Sequence, residues 1–146
     1  MHKGLYLIAK DGCQENAWKG IIQSLSMHGS SWLVDCLDCL YETELVPGSY
    51  TTGELLASLD HCKYVFSARM IGVPEDQSLD REVKTCGDFF VSNSHSIVLC
   101  TDSVHFEVFS KHVDQLSSLM QSLSRDSIVN ATWVDESLGG REEFVV

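Results

Sequence analysis

Positive charge is what this sequence has least of: ten Lys and Arg stand against 21 Asp and Glu, for a net charge of −11. Nucleic acids and anionic membranes bind through cationic groups that exchange counterions or meet a negative surface, so such a chain is a poor ligand for either. The shortage is also uneven. From Gly20 to Cys62 there is no Lys or Arg, while Asp35, Asp38, Glu42, Glu44, Glu54 and Asp60 fall inside the stretch. There are two prolines, no Pro-rich linker, no internal repeat and no low-complexity tract. The apolar run near the start, Leu5-Tyr6-Leu7-Ile8-Ala9, stops at Lys10-Asp11-Gly12. That is too short for a signal-peptide core or a membrane span, and the expected location is cytoplasmic.

Hydrophobic residues make up 44% of the chain and recur along all of it, as in Tyr64-Val65-Phe66 and Ile97-Val98-Leu99, which excludes disorder. A chain of this length builds one core without disulfides or metal, so a single domain over 1–146 is expected. The cysteines at 13, 36, 39, 62, 86 and 100 are even in number, but a disulfide framework belongs to a secreted context. Reduced thiols, several of them in the core, are the simpler expectation.

Hydrophobic spacing organises the rest. Lys3–Lys10 reads as a strand closed by Asp11-Gly12, and Glu15–Met27 as a helix with Trp18, Ile21, Ile22 and Leu25 on one face, stopped at His28-Gly29. Ser31–Glu42 carries strand-forming Trp32-Leu33-Val34 but acids at helical spacing, and two short strands turning near Leu37-Asp38 are expected. Pro47-Gly48 is a turn, and Thr51 with Glu54 has capping-box spacing for a short helix to about Leu59. Lys63–Val73 is a strand closed by Pro74. A helical turn fits Leu79–Val83. Ser96–Thr101 and Val104–Phe109 form a hairpin across Asp102-Ser103. Ser110 caps a helix to about Ser124, striped by Val113, Leu116, Leu119, Met120 and Leu123. Ile128–Asp135 and Arg141–Val146 pair as a terminal hairpin around Leu138-Gly139-Gly140. Strands joined by short turns give an α+β fold: a mostly antiparallel sheet with two main helices packed on one face.

Several segments, among them Glu54-Leu55-Leu56, Lys63 through Pro74, Gly87-Asp88-Phe89-Phe90-Val91-Ser92, Phe106 through Lys111 and Trp133-Val134-Asp135-Glu136, together resemble a family of small bacterial proteins classed as a domain of unknown function, family 2691. The resemblance covers mainly residues 54–146. It implies a bacterial cytoplasmic α+β domain and brings no activity with it.

Residues that could carry chemistry are few. Cys36-Leu37-Asp38-Cys39 and His61-Cys62 offer soft ligands, but zinc needs about four that converge, and residues one or three apart on a strand point to opposite faces. No metal and no cofactor are expected. His105 and Glu107 share a strand face and could act as acid and base; an exposed polar sheet face is the plainer reading. No cationic cluster accompanies them for a phosphate substrate. G-x-S-x-G, H-E-x-x-H and the Gly-rich phosphate loops do not occur. The base-free stretch is then the strongest functional signal. A solvated acidic surface explains it at the least. The sharper expectation is a docking face made of Asp35, Asp38, Glu42 and Glu44, with Trp32 or Tyr41 as apolar anchor, for a basic protein partner. A non-enzymatic immunity-type protein that neutralises a basic, nuclease-like toxin fits that charge; nucleic acid and membrane do not. A small enzyme or metal-binding domain using His105 and Glu107 or the Cys36/Cys39 pair, and a regulatory subunit of a larger assembly, are the alternatives.

Overall fold

The computed structural model describes residues 2–26, 29–39, 45–60, 65–123 and 128–135. Among them are seven strands and four helices in the order β1 (His2–Ala9), α1 (Gln14–Leu25), β2 (Ser30–Cys39), β3 (Gly48–Thr51), α2 (Thr52–Asp60), β4 (Val65–Pro74), α3 (Cys86–Val91), β5 (Ser96–Thr101), β6 (His105–Ser110), α4 (Val113–Leu123) and β7 (Ile128–Asp135). The strands form one sheet in the order β3-β2-β4-β5-β6-β1-β7, antiparallel at every pairing. The α+β architecture is therefore the one the sequence indicates. No helix among the described residues is long and apolar enough to cross a membrane.

Alternation along the strands splits the interior in two. Leu5 and Leu7, Trp32 and Val34, Ala68 and Met70, Val98 and Cys100, and Phe106 and Val108 face one side. There they bury the stripes of α1 (Trp18, Ile21, Ile22, Leu25), α2 (Leu55, Leu59) and α4 (Leu116, Leu119, Leu123). On the opposite face Ile71, Ile97 and Leu99 meet Val83 and Phe89, with Leu33, Leu79 and Cys86 alongside. So α1 and α4 share one face as expected, and a strip holding α3 covers part of the other. The expected helical turn at Leu79–Val83 is irregular chain instead, and both residues anchor that strip.

β2 corrects the expected pair of short strands. It is one strand, kinked by an extra residue: Asp35 pairs with Arg69 but Asp38 with Ser67. The bulge shifts the alternation, so that Leu37 and Cys39, at odd positions, join the core side that Trp32 and Val34 reach from even ones. Thr101 pairs with His105, so β5 and β6 are joined by three residues, 102–104, where a two-residue turn with β6 starting at Val104 is expected; φ is positive at Asp102 (51°) and Ser103 (62°). β7 pairs with β1; its expected partner at 141–146 lies outside the described residues.

Candidate docking groove

β3 is at one edge of the sheet, and near that edge the opposite face of β3, β2 and the end of β4 forms the floor of a groove. Ser49 and Thr51 from β3, Ser31 and Leu33 from β2, and Val73 from β4 lie side by side there in register. The chain leaving β4 turns back over them, with Asp76 at φ 62°, and residues 76–79 make a wall. The resulting groove encloses about 280 Å³. Its wall is tied down by the Asn93 and Ser31 side chains. Asn93 Nδ2 donates to the Ser78 carbonyl (2.8 Å) and to Gln77 Oε1 (3.3 Å), and Asn93 Oδ1 accepts from the Asp80 amide (3.0 Å). The Asp76 amide donates to Ser31 Oγ (3.2 Å), which fastens the wall to the floor.

The charged lining residues are Glu54 and Asp76, both carboxylates and both exposed. Glu54 is held in place by the expected capping box: its Oε1 accepts from the Thr51 amide and its own amide donates to Thr51 Oγ1, each at 3.1 Å. Accepting from the Thr51 backbone, and then from its hydroxyl, favours the ionised form and lowers the Glu54 pKa below its ordinary value. The groove thus presents fixed negative charge and neutral hydrogen-bonding groups. Most of it comes from the base-free stretch, through β2, β3 and α2.

Four bases elsewhere pair with acids. Arg69 makes a two-pronged ion pair with Asp35, Nε to Oδ1 and Nη2 to Oδ2 at 2.7 Å each. Lys19 bridges Glu15 and Asp60, and its pKa is raised chiefly by Asp60. Arg81 meets Asp80 and Lys84 meets Glu82.

The residues expected to bind a partner are only partly brought together. Trp32 is buried (1% exposed), with Nε1 donating to Ser26 Oγ (3.1 Å) and Thr52 Oγ1 (3.3 Å). It supports the groove from beneath and is not a surface anchor, because its position in β2 points it at the helices. Asp35 is committed to Arg69, its partner across the strand pair. Asp38 is exposed. Tyr41, Glu42 and Glu44 lie outside the described residues. Asp76, Asn93 and Glu54 are what sequence reasoning did not single out as site residues. The capping box marked Glu54 as structural, while nothing local marks the 76–79 chain as a wall.

The alternatives also take definite positions. His105 Nδ1 is hydrogen-bonded to the Tyr6 hydroxyl, and the two rings stack at 5.9 Å. His61 and Cys62, like the Cys36 side chain, lie outside the described set. Among the described residues no group of three or more His, Cys, Asp or Glu is placed to hold a metal.

The family described as a protein of unknown function, DUF2691, matches residues 3–145, nearly the whole chain, and the chain belongs to that family. No curated protein and no solved structure matches it.

Proposed function

We propose that this DUF2691 protein is a non-enzymatic binding domain that holds a basic protein partner against the groove at its β3 edge. The observation that carries the reading is the groove itself: a preformed cleft whose charged lining groups, Glu54 and Asp76, are both carboxylates. In this reading the groove, not Asp35 and Trp32, meets the partner, and exposed Asp38 is part of its acidic surroundings. Charge complementarity steers encounter and rejects acidic competitors, and a cleft lets an apolar or hydrogen-bonding segment of the partner be desolvated between the charges. The partner class that fits best is a nuclease-like toxin. Its active site is cationic because it must hold phosphate, and occluding that site makes this domain an immunity protein acting in the cytoplasm.

The test begins with recovery of the partner on immobilised protein from the source cells. Binding is then compared with a Glu54→Gln/Asp76→Asn double variant. Gln keeps an acceptor for the Thr51 amide, and Asn tolerates the positive φ at position 76, so charge changes and shape does not. The control is Asp11→Asn/Asp102→Asn. Asp102 sits where β5 ends and β4 begins, and Asp11 lies two residues beyond Ala9, whose amide bonds the Val104 carbonyl. Both are at the opposite end of the sheet from the groove. A basic partner that loses affinity for the first variant and keeps it for the second supports docking at the groove. Loss of its nuclease activity on binding supports the immunity role. Equal affinity for both variants contradicts the groove.

A further inference from the structure

Behind the groove, a chain of buried side chains and the half-buried His95 crosses the sheet. Ser30 Oγ lies 2.8 Å from His95 Nε2, and His95 Nδ1 lies 2.8 Å from Ser96 Oγ. Ser96 reaches Ser110 (3.5 Å), and Ser110 reaches Gln115 Oε1 (3.4 Å). The chain links the start of β2 to β5, the end of β6 and α4. The His95 ring also packs edge-on to Trp32, and a cavity of about 30 Å³ adjoins it. At the β2 end, Thr52 Oγ1 donates to the Ser30 carbonyl (2.9 Å) and Trp32 Nε1 reaches Thr52, so β2, β3 and the start of α2 share one fastening.

We infer that His95 is an acid-operated latch on the β2–β3 edge: neutral, it ties Ser30 to Ser96; protonated, it reverses one of the two bonds, sets a charge among buried groups and loosens that edge. A neutral imidazole has one donor and one acceptor, so it passes a hydrogen bond from one serine to the other. An imidazolium donates at both nitrogens, so the serine that had donated to the ring must turn its hydrogen away. The imidazolium also places a charge among buried groups. The facing ionisable groups are unhelpful to that charge. His112 is 6.3 Å away ring to ring and Lys111 follows β6, both of like sign. Asp114 on α4 and Glu75, which packs on Gly29 beside the cavity, are exposed. β2 and β5 offer hydroxyls and the Trp32 ring. Burial first, and then His112, lower the His95 pKa from 6.5 to about 4, with the Val73 carbonyl pulling the other way. Release of a docked partner at low pH follows if the groove is the docking site; that consequence rests on the proposed function, while the loosening does not.

The test is amide exchange, corrected for intrinsic rates, on the native protein and a His95→Gln variant at about pH 7 and about pH 4, with the His95 ring followed by NMR. In the native protein, protection in β2 and β3 falls roughly tenfold or more at the lower pH while β1 and β6 hold. In the variant, which donates and accepts at any pH, it does not. A His95 ring that titrates near its ordinary value, or equal loss in both proteins, overturns the latch. If the variant does not fold, ring titration and strand-by-strand exchange in the native protein decide. An edge that loosens while a basic partner stays bound contradicts the groove and leaves the latch standing.

Discussion

Close packing around His95 leaves its neighbours little room. Gly72 on β4 lies against both rings: a Cβ there would stand 2.8 Å from His95 Cε1 and 3.0 Å from Trp32 Cη2. Neither ring can bend away as a flexible chain end could. Gly72→Ala is therefore expected to destabilise by roughly 1–3 kcal/mol, the usual range for overpacking, read from the urea midpoint. The sign of the His95 contribution follows from linkage. Its folded pKa lies below its unfolded one, so its stabilisation is complete above about pH 6.5 and is lost as pH falls toward about 4. The amount is at most about 3 kcal/mol, less whatever water screens at the partly accessible ring. Cys100 is the other strongly shifted group: burial pushes its thiol up to about 12. It should resist alkylation in the native protein at neutral pH and react on unfolding, while the more accessible Cys13 reacts first. Residue roles were the least legible part of the sequence. Trp32 and Asp35 look like surface groups in an acidic, base-free stretch, but their partners, Thr52 and Arg69, come from other elements. Arg69 is 34 positions away, and local spacing says nothing of it.

Elements with a strong period were readable: α1 and α4 through their apolar stripes, and β4, β5 and β6 through their alternation. Those that escaped are short or irregular. β3 has four residues and no apolar alternation. α3 has six, and its marker is a capping box in which Thr85 Oγ1 accepts from the Asp88 amide while Asp88 accepts from that of Thr85. The Thr-x-x-Asp pattern was present but lay in a run that reads as a charged loop. Removing the hydroxyl with Thr85→Ala should cost about 1 kcal/mol, measured by thermal or urea unfolding. Asn93 bears on function more directly. Asn93→Ala removes the side-chain bonds that hold Gln77, Ser78 and Asp80 in place but leaves the main core untouched. The expected result is a folded protein with faster amide exchange at 76–80 and weaker partner binding. Unchanged binding would mean that the wall takes no part.

At the scale of the molecule, the fold class was legible because short turns between strands dictate antiparallel pairing. The strand order β3-β2-β4-β5-β6-β1-β7 was not, because β1 pairs with β6 and β7 across most of the chain length. That order explains the charge pattern. Folding places the two strands of the base-free stretch, β2 and β3, at one edge of the sheet, while Arg69, Lys19, Arg81 and Lys84 are matched with acids outside the groove. On the proposed function, the carboxylates of Glu54 and Asp76 act on a basic partner mainly through the association rate. The decisive measurement is that rate as a function of ionic strength for the native protein, the Glu54→Gln/Asp76→Asn variant and the Asp11→Asn/Asp102→Asn control. Docking at the groove predicts an association rate that falls steeply as the Debye length shrinks to about 8 Å at physiological salt. It also predicts a rate roughly tenfold slower for the groove variant at low salt, and near native for the control. An association rate indifferent to salt, or slowed equally by both variants, contradicts a partner steered to Glu54 and Asp76.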